Sequence, residues 1–127
     1  MASRVVTRHY DRALAVVGLR TNDYSILARL DQEGSTPLGT LAARLAMDRT
    51  TLSRESAPLI AAGLLETSPD DHDARSRLLS LSDAGRARLR EARPLWASAQ
   101  ASLSGEFGHA RTATLIAELH ALVGAGA

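Results

Sequence analysis

The 127-residue chain contains no cysteine, no lysine, only four aromatic residues and no long apolar run. Without cysteine it can form no disulfide, thiolate metal site or thiol-based redox switch, and zinc could be held only by His, Asp or Glu. No stretch approaches the roughly 18 apolar residues that a membrane span needs. Arg4, Arg8 and Arg12 interrupt the opening segment where a secretory signal would require an unbroken apolar core, so a cytoplasmic protein with no membrane association is expected. Tyr10, Tyr24, Trp96 and Phe107 are too few to dominate a β-rich core. With no lysine, all 15 basic residues are arginine, whose planar fork grips phosphate or guanine through two parallel hydrogen bonds. A formal net charge of +1 is small for a nucleic-acid binder of this size, so any positive surface must be local.

What is abundant points to helix. Ala (23) and Leu (20) make up about a third of the chain, and the length suits one domain. Val6, Tyr10, Ala13, Leu14 and Val17 lie at helical spacing over residues 4–17, with Gly18 placed for a left-handed cap. Thr21 reads as the N-cap of a helix carrying Tyr24, Leu27 and Leu30 and stopping near Gly34. After the turn sequence GSTP, Leu38, Leu41, Ala42 and Leu45 form the apolar face of a short helix. Asp48 is the expected N-cap of the next, which buries Leu52, Leu59 and Ile60 and ends at Gly63 in a Schellman turn. Residues 64–68 and 75–81 read as the strands of a small hairpin around a polar tip with Pro69, three aspartates and His72. Ser82 caps a long helix bearing Leu89, Ala92, Trp96, Ala99 and Leu103, in which Pro94 removes the bond to the Arg90 carbonyl and is expected to cause a kink. A final helix over residues 109–123 sets Thr112, Ile116, Leu119 and Val123 on one face, widened by Leu115 and Leu122.

Two short helices joined through Ala46, Met47 and Asp48, the second running into a hairpin, make a winged helix-turn-helix. The expected fold is mainly α with a small β-hairpin wing, residues 21–82 forming the DNA-binding region and residues 1–20 and 83–127 a helical dimerisation region of the same compact chain. The segment MDRTTLSRE turns Leu52 inward and gathers Arg49, Thr50, Thr51, Ser53 and Arg54 at the start of the second helix. That end of a recognition helix enters the major groove, where Arg can pair with guanine O6 and N7 and Thr or Ser can contact base edges. Arg75 and Arg77 in the wing are long enough to reach a minor groove or the backbone.

The segments LRTNDYSIL, LGTLAARLAMDRTTLSRESAPLIAAGLL, DARSRLLSLSDAGR and ARPLWASAQ, in this order, resemble the MarR family of bacterial transcriptional regulators over essentially the whole chain, most specifically across residues 38–65. The resemblance implies a homodimer built on the first and last helices, palindromic promoter DNA as partner, and release by small, often phenolic, ligands. It places residues 49–54 on the recognition helix, sends Arg75 into the minor groove and has Asp73 hold it there. The chain departs from the pattern at Ser56 and Ala57, where relatives carry a large aliphatic and a basic residue. It also has Glu55 near the phosphates and acids at Glu66, Asp70, Asp71 and Asp73, and a longer N-terminal arm before its first helix is not expected.

Blander readings stand beside these. The apolar face of residues 38–45 needs burial whatever the function, and Arg86, Arg88, Arg90 and Arg93 read as a solvated helix face with a phosphate contact open only to Arg86. His9, Tyr10 and Trp96 could line a ligand pocket, but a core or interface role fits Tyr10 and Trp96 better. PDDHDA lacks the ligand spacing and glycine turn of a hard-ion loop, so no metal or other cofactor is expected. No nucleophile with its base, phosphate-binding glycine loop or paired carboxylate stands out, and an enzyme is not expected. The alternative from another class is a winged-helix protein-interaction module that does not bind DNA, which the low net charge and acidic wing favour.

Overall fold

In a computed structural model, residues 4–107 are described; the final helix expected over residues 109–123 lies outside them. The elements run α1 (Arg4–Leu14), a 3-10 turn (Ala15–Val17), α2 (Thr21–Glu33), β1 (Thr36–Pro37), α3 (Leu38–Arg44), α4 (Arg49–Ala61), β2 (Leu65–Asp70), β3 (Asp73–Leu81) and α5 (Asp83–Phe107). The class is mainly α with a small antiparallel sheet, as the sequence predicts.

The helix ends follow from local chemistry. Asp48 caps α4, its Oδ1 accepting the Thr51 amide at 2.7 Å. The far end of α4 closes as a Schellman turn, with Gly63 at φ +78, the Leu64 amide donating to Leu59 O at 2.9 Å and the Gly63 amide to Ile60 O at 3.0 Å. Ser82 caps α5 by accepting the Gly85 amide at 2.9 Å, while its own hydroxyl donates to Gly63 O at 2.6 Å and ties that helix start to the end of α4. A Cβ at Gly85 would collide with the Leu64 carbonyl, so only glycine permits this approach. α5 passes through Pro94 as one helix.

Two expectations are corrected. Thr21 is the first residue inside α2 and Arg20 is the N-cap: the free amides go to carboxylates, Arg20 N to Asp23 Oδ2 at 2.8 Å and Thr21 N to Asp11 Oδ1 at 2.7 Å. The Thr21 hydroxyl is itself spent on Asp11, also at 2.7 Å, which fastens α2 to α1. The GSTP segment is not only a turn, because Thr36 and Pro37 form a third strand paired with Leu79 and Leu78. The sheet order is β1-β3-β2, and proline is tolerated since β1 is an edge strand.

One hydrophobic cluster runs through the described residues. Val6, Tyr10 and Leu14 of α1, spaced by four, meet Tyr24 and Leu27 of α2 and Leu89, Ala92, Trp96 and Leu103 of α5. Leu41, Leu45, Leu52, Leu59, Leu65, Leu79 and Leu81 continue it beneath the helix-turn-helix and sheet, which gives α3 and α4 a rigid base. No helix among the described residues is long and apolar enough to cross a membrane.

Candidate nucleic-acid interface

The burial of α4 has the helical period. Leu52, Ser56 and Leu59 face the core, and residues 49, 50, 53, 54, 57 and 58 are exposed. Arg49, Thr50, Ser53 and Arg54 therefore stand together on the outer side of its first turns. Thr51 stands apart from them: it is half-buried, and its amide and hydroxyl both serve Asp48. The Thr51 amide is the main cause that holds the Asp48 carboxyl below the ordinary aspartate range, with the Thr51 hydroxyl next and the Arg54 guanidinium a smaller contributor. The cap is thus an anion at neutral pH, beside the exposed cation.

Neighbouring contacts fix how α4 is held. Ser56 is buried, and its hydroxyl donates to Ser53 O at 3.2 Å. Glu55 accepts from Arg20 Nη2 at 3.3 Å and from Asn22 Nδ2 at 3.5 Å, so this acid is neutralised against the start of α2 instead of confronting a phosphate. Arg49 reaches back over α3 and lies against Gly39 in a shallow groove with Thr40, Ala43 and Arg44.

In the wing, Arg75 is exposed, and Asp73 Oδ1 accepts the Arg75 backbone amide at 3.0 Å. Asp73 thus orients the Arg75 backbone and makes no ion pair with its guanidinium. Asp70 does the same for the His72 amide at 2.9 Å, so two wing acids build the tip's turn. Arg77 lies back across the hairpin, its Nε donating to the Thr67 hydroxyl at 3.1 Å.

Three of the four arginines of α5 are tied down, while Arg90 is exposed. Arg86 pairs with Asp83 at 3.2 Å and Asp31 at 3.8 Å, Arg93 with Asp31 at 2.9 Å, and Arg88 donates to Val17 O at 2.9 Å. They clamp α5 onto α2 and the 3-10 turn, which a reading of them as a solvated face does not anticipate.

Tyr10 and Trp96 lie in the core. Trp96 stacks between Tyr10, at 4.0 Å between ring centres, and Tyr24, at 4.5 Å and nearly parallel. Burial pushes the Tyr10 hydroxyl up to about 12, the Tyr24 charge adding to it, and raises Tyr24, whose shift the nearby Arg93 opposes. Of the three residues considered for a ligand, His9 lines an open groove, about 410 Å³ between α1 and α5 with Arg12, Leu95, Ser98 and Ser102, where its Nε2 sits 2.8 Å from Ala99 O. Among the described residues no group of three His, Asp or Glu could hold a metal ion. Sequence reasoning missed Gly39, Arg20 and Asp31, whose roles depend on partners 10, 35 and 62 positions away.

A short α3, a tight turn, an outward-facing α4 and a β-wing define a winged helix-turn-helix. A model of the MarR family matches residues 19–76. The M. tuberculosis transcriptional regulator MosR, solved in complex with DNA, is 35% identical with a TM-score of 0.78, over 91% of this chain and 85% of that one. A probable transcriptional regulator from Pseudomonas aeruginosa is 29% identical (TM-score 0.77, 94% and 92% covered), and the transcriptional repressor CouR, bound to a 23-mer duplex, is 27% identical (0.79, 91% and 82%). No curated protein matches the chain. The chain belongs to the MarR family of transcriptional regulators.

Proposed function

We propose that the chain is a cytoplasmic, homodimeric repressor that binds a pseudo-palindromic operator and releases it in response to a small aromatic or phenolic ligand. The observation that carries this is the outward stripe of Arg49, Thr50, Ser53 and Arg54 on the first turns of α4, opposite the buried face of Leu52, Ser56 and Leu59. Arg is suited to guanine, and Thr or Ser to other base edges, in a major groove. Arg75, exposed on the wing and oriented through its backbone by Asp73, suits a minor groove or phosphate, with Arg77 beside it. MosR in complex with DNA and the repressor CouR on its duplex support the partner and the sign of regulation.

The dimer would use the helical region, residues 1–20 and 83–127. Val5 on α1 and Val16 in the 3-10 turn that follows it are 55% and 78% exposed, and a partner face would cover them. The groove at His9 lies between α1 and α5, where a ligand could change the spacing of two DNA-binding heads. Such a ligand lowers DNA affinity only by its differential affinity for the two spacings, typically about 5- to 150-fold.

Arg54→Ala is expected to reduce affinity for the operator by about 1–3 kcal/mol while the oligomer is unchanged. Gel shift at fixed salt with sedimentation alongside checks this, and an unaltered shift would remove Arg54 from the interface. A chain that shifts no duplex at all would favour the protein-interaction module.

A further inference from the structure

Gly39 is an unexpected residue inside α3, because glycine in a helix is less stable than alanine and φ there is not left-handed. What occupies the space of its missing side chain is Arg49. A Cβ on Gly39 would stand 2.8 Å from both Nε and Cζ of that guanidinium, too close for either to remain. Arg49 makes no ion pair among the described residues, whereas Arg44, in the same groove, is tied to Glu33 at 3.2 Å. The groove therefore presents one uncommitted guanidinium, laid flat against α3 by the absence of a methyl group.

That placement bears on which part of DNA Arg49 meets. In a helix-turn-helix the first helix crosses the sugar-phosphate backbone while the second points its N-terminal residues at the bases. A guanidinium drawn back onto α3 is turned towards the backbone at the groove's edge, and Arg54, one turn further along α4 and exposed, is not so restrained. We propose that Gly39 is a positioning residue that seats Arg49 for a phosphate contact, leaving base reading to Arg54, Thr50 and Ser53. The inference rests on the DNA-binding reading above.

The test is a double-mutant cycle on the full chain. Wild type, Arg49→Ala, Gly39→Ala and the double variant are titrated across a range of salt with a duplex selected by the wild type from random sequence and with an unrelated duplex. Arg49→Ala should weaken both duplexes by the same factor, about tenfold for one charge-assisted contact, and reduce the slope of log K against log salt by about 0.9. Gly39→Ala should move affinity and slope in the same direction and add nothing in the Arg49→Ala background. It should melt at or above the wild-type temperature, since alanine is the better helix former. An unchanged slope in Gly39→Ala, full additivity in the double variant, or an Arg49→Ala loss confined to one base pair would overturn the inference. So would a Gly39→Ala chain that fails to fold, because the glycine would then serve packing. Wild type that binds no duplex fails the DNA-binding reading itself; wild type that binds, with Gly39→Ala indistinguishable from it, fails only the seat for Arg49.

Discussion

Tyr10 shows how far a single side chain's environment can be read as energy. Its ring is fully buried against Trp96, and its hydroxyl is buried without a hydrogen-bond partner. A buried hydroxyl left unpaired costs about 1–3 kcal/mol. Tyr10→Phe keeps the stacked ring and removes that atom, so it is expected to stabilise the fold by about 1 kcal/mol, read as a higher melting temperature. The same burial raises the hydroxyl's pKa from 10.0 to about 12, favouring the neutral form in the folded state. The sign follows: this contribution is fully present below pH 10 and is lost as pH rises towards 12, because the unfolded chain ionises first. Melting curves across that window should fall less steeply for Tyr10→Phe than for wild type. An equal or larger fall would show that the alkaline loss belongs to another group.

At the scale of elements, α3 ends where chemistry and geometry disagree. The Met47 amide donates to Ala42 O at 2.9 Å and the Ala46 amide to Ala43 O at 3.2 Å, the pattern that closes α4 around Gly63, yet the left-handed position is held by alanine at φ +55. Alanine there carries about 1 kcal/mol of strain that glycine does not. Ala46→Gly should stabilise the chain by roughly 0.5–1 kcal/mol in a denaturant titration, offset in part by the unfolded chain's greater freedom. A loss of stability would mean that the turn is held by packing and not by its dihedral.

The caps also mark what was legible in the sequence. Asp48, Gly63 and Ser82 name their own ends, because the capping atom and the capped amide lie within a few residues, and so α4 and α5 start where the sequence puts them. Thr21 misleads because a stronger acceptor, Asp11, reaches it from another helix. β1 is two residues long, includes a proline and exists only through pairing with Leu78 and Leu79, so no local pattern could reveal it. The outward face of α4 was readable from period alone, while Glu55's pairing with Arg20 and Arg49's rest on Gly39 require the packed helices.

For the whole molecule, the small net charge conceals a division of labour among the arginines. Arg20, Arg29, Arg44, Arg86 and Arg93 form ion pairs that fasten one helix to another or brace a single one. Arg49, Arg54, Arg75 and Arg77 form none among the described residues and lie on α4 and the wing. A net charge of +1 therefore leaves a local cationic surface, with Glu66, Asp71 and neighbouring acids limiting attraction to arbitrary DNA. Weak non-specific binding and dependence on a matched sequence are the expected consequences.

The central claim is that two copies of this surface read DNA together. Selecting bound sequences from a pool of random duplexes with the wild-type chain tests it most directly. The expected result is enrichment of a pseudo-palindrome whose half-sites are centred about one helical turn, roughly 10 bp, apart. A pool that enriches no sequence, or only a lone half-site with no symmetric partner, would contradict it.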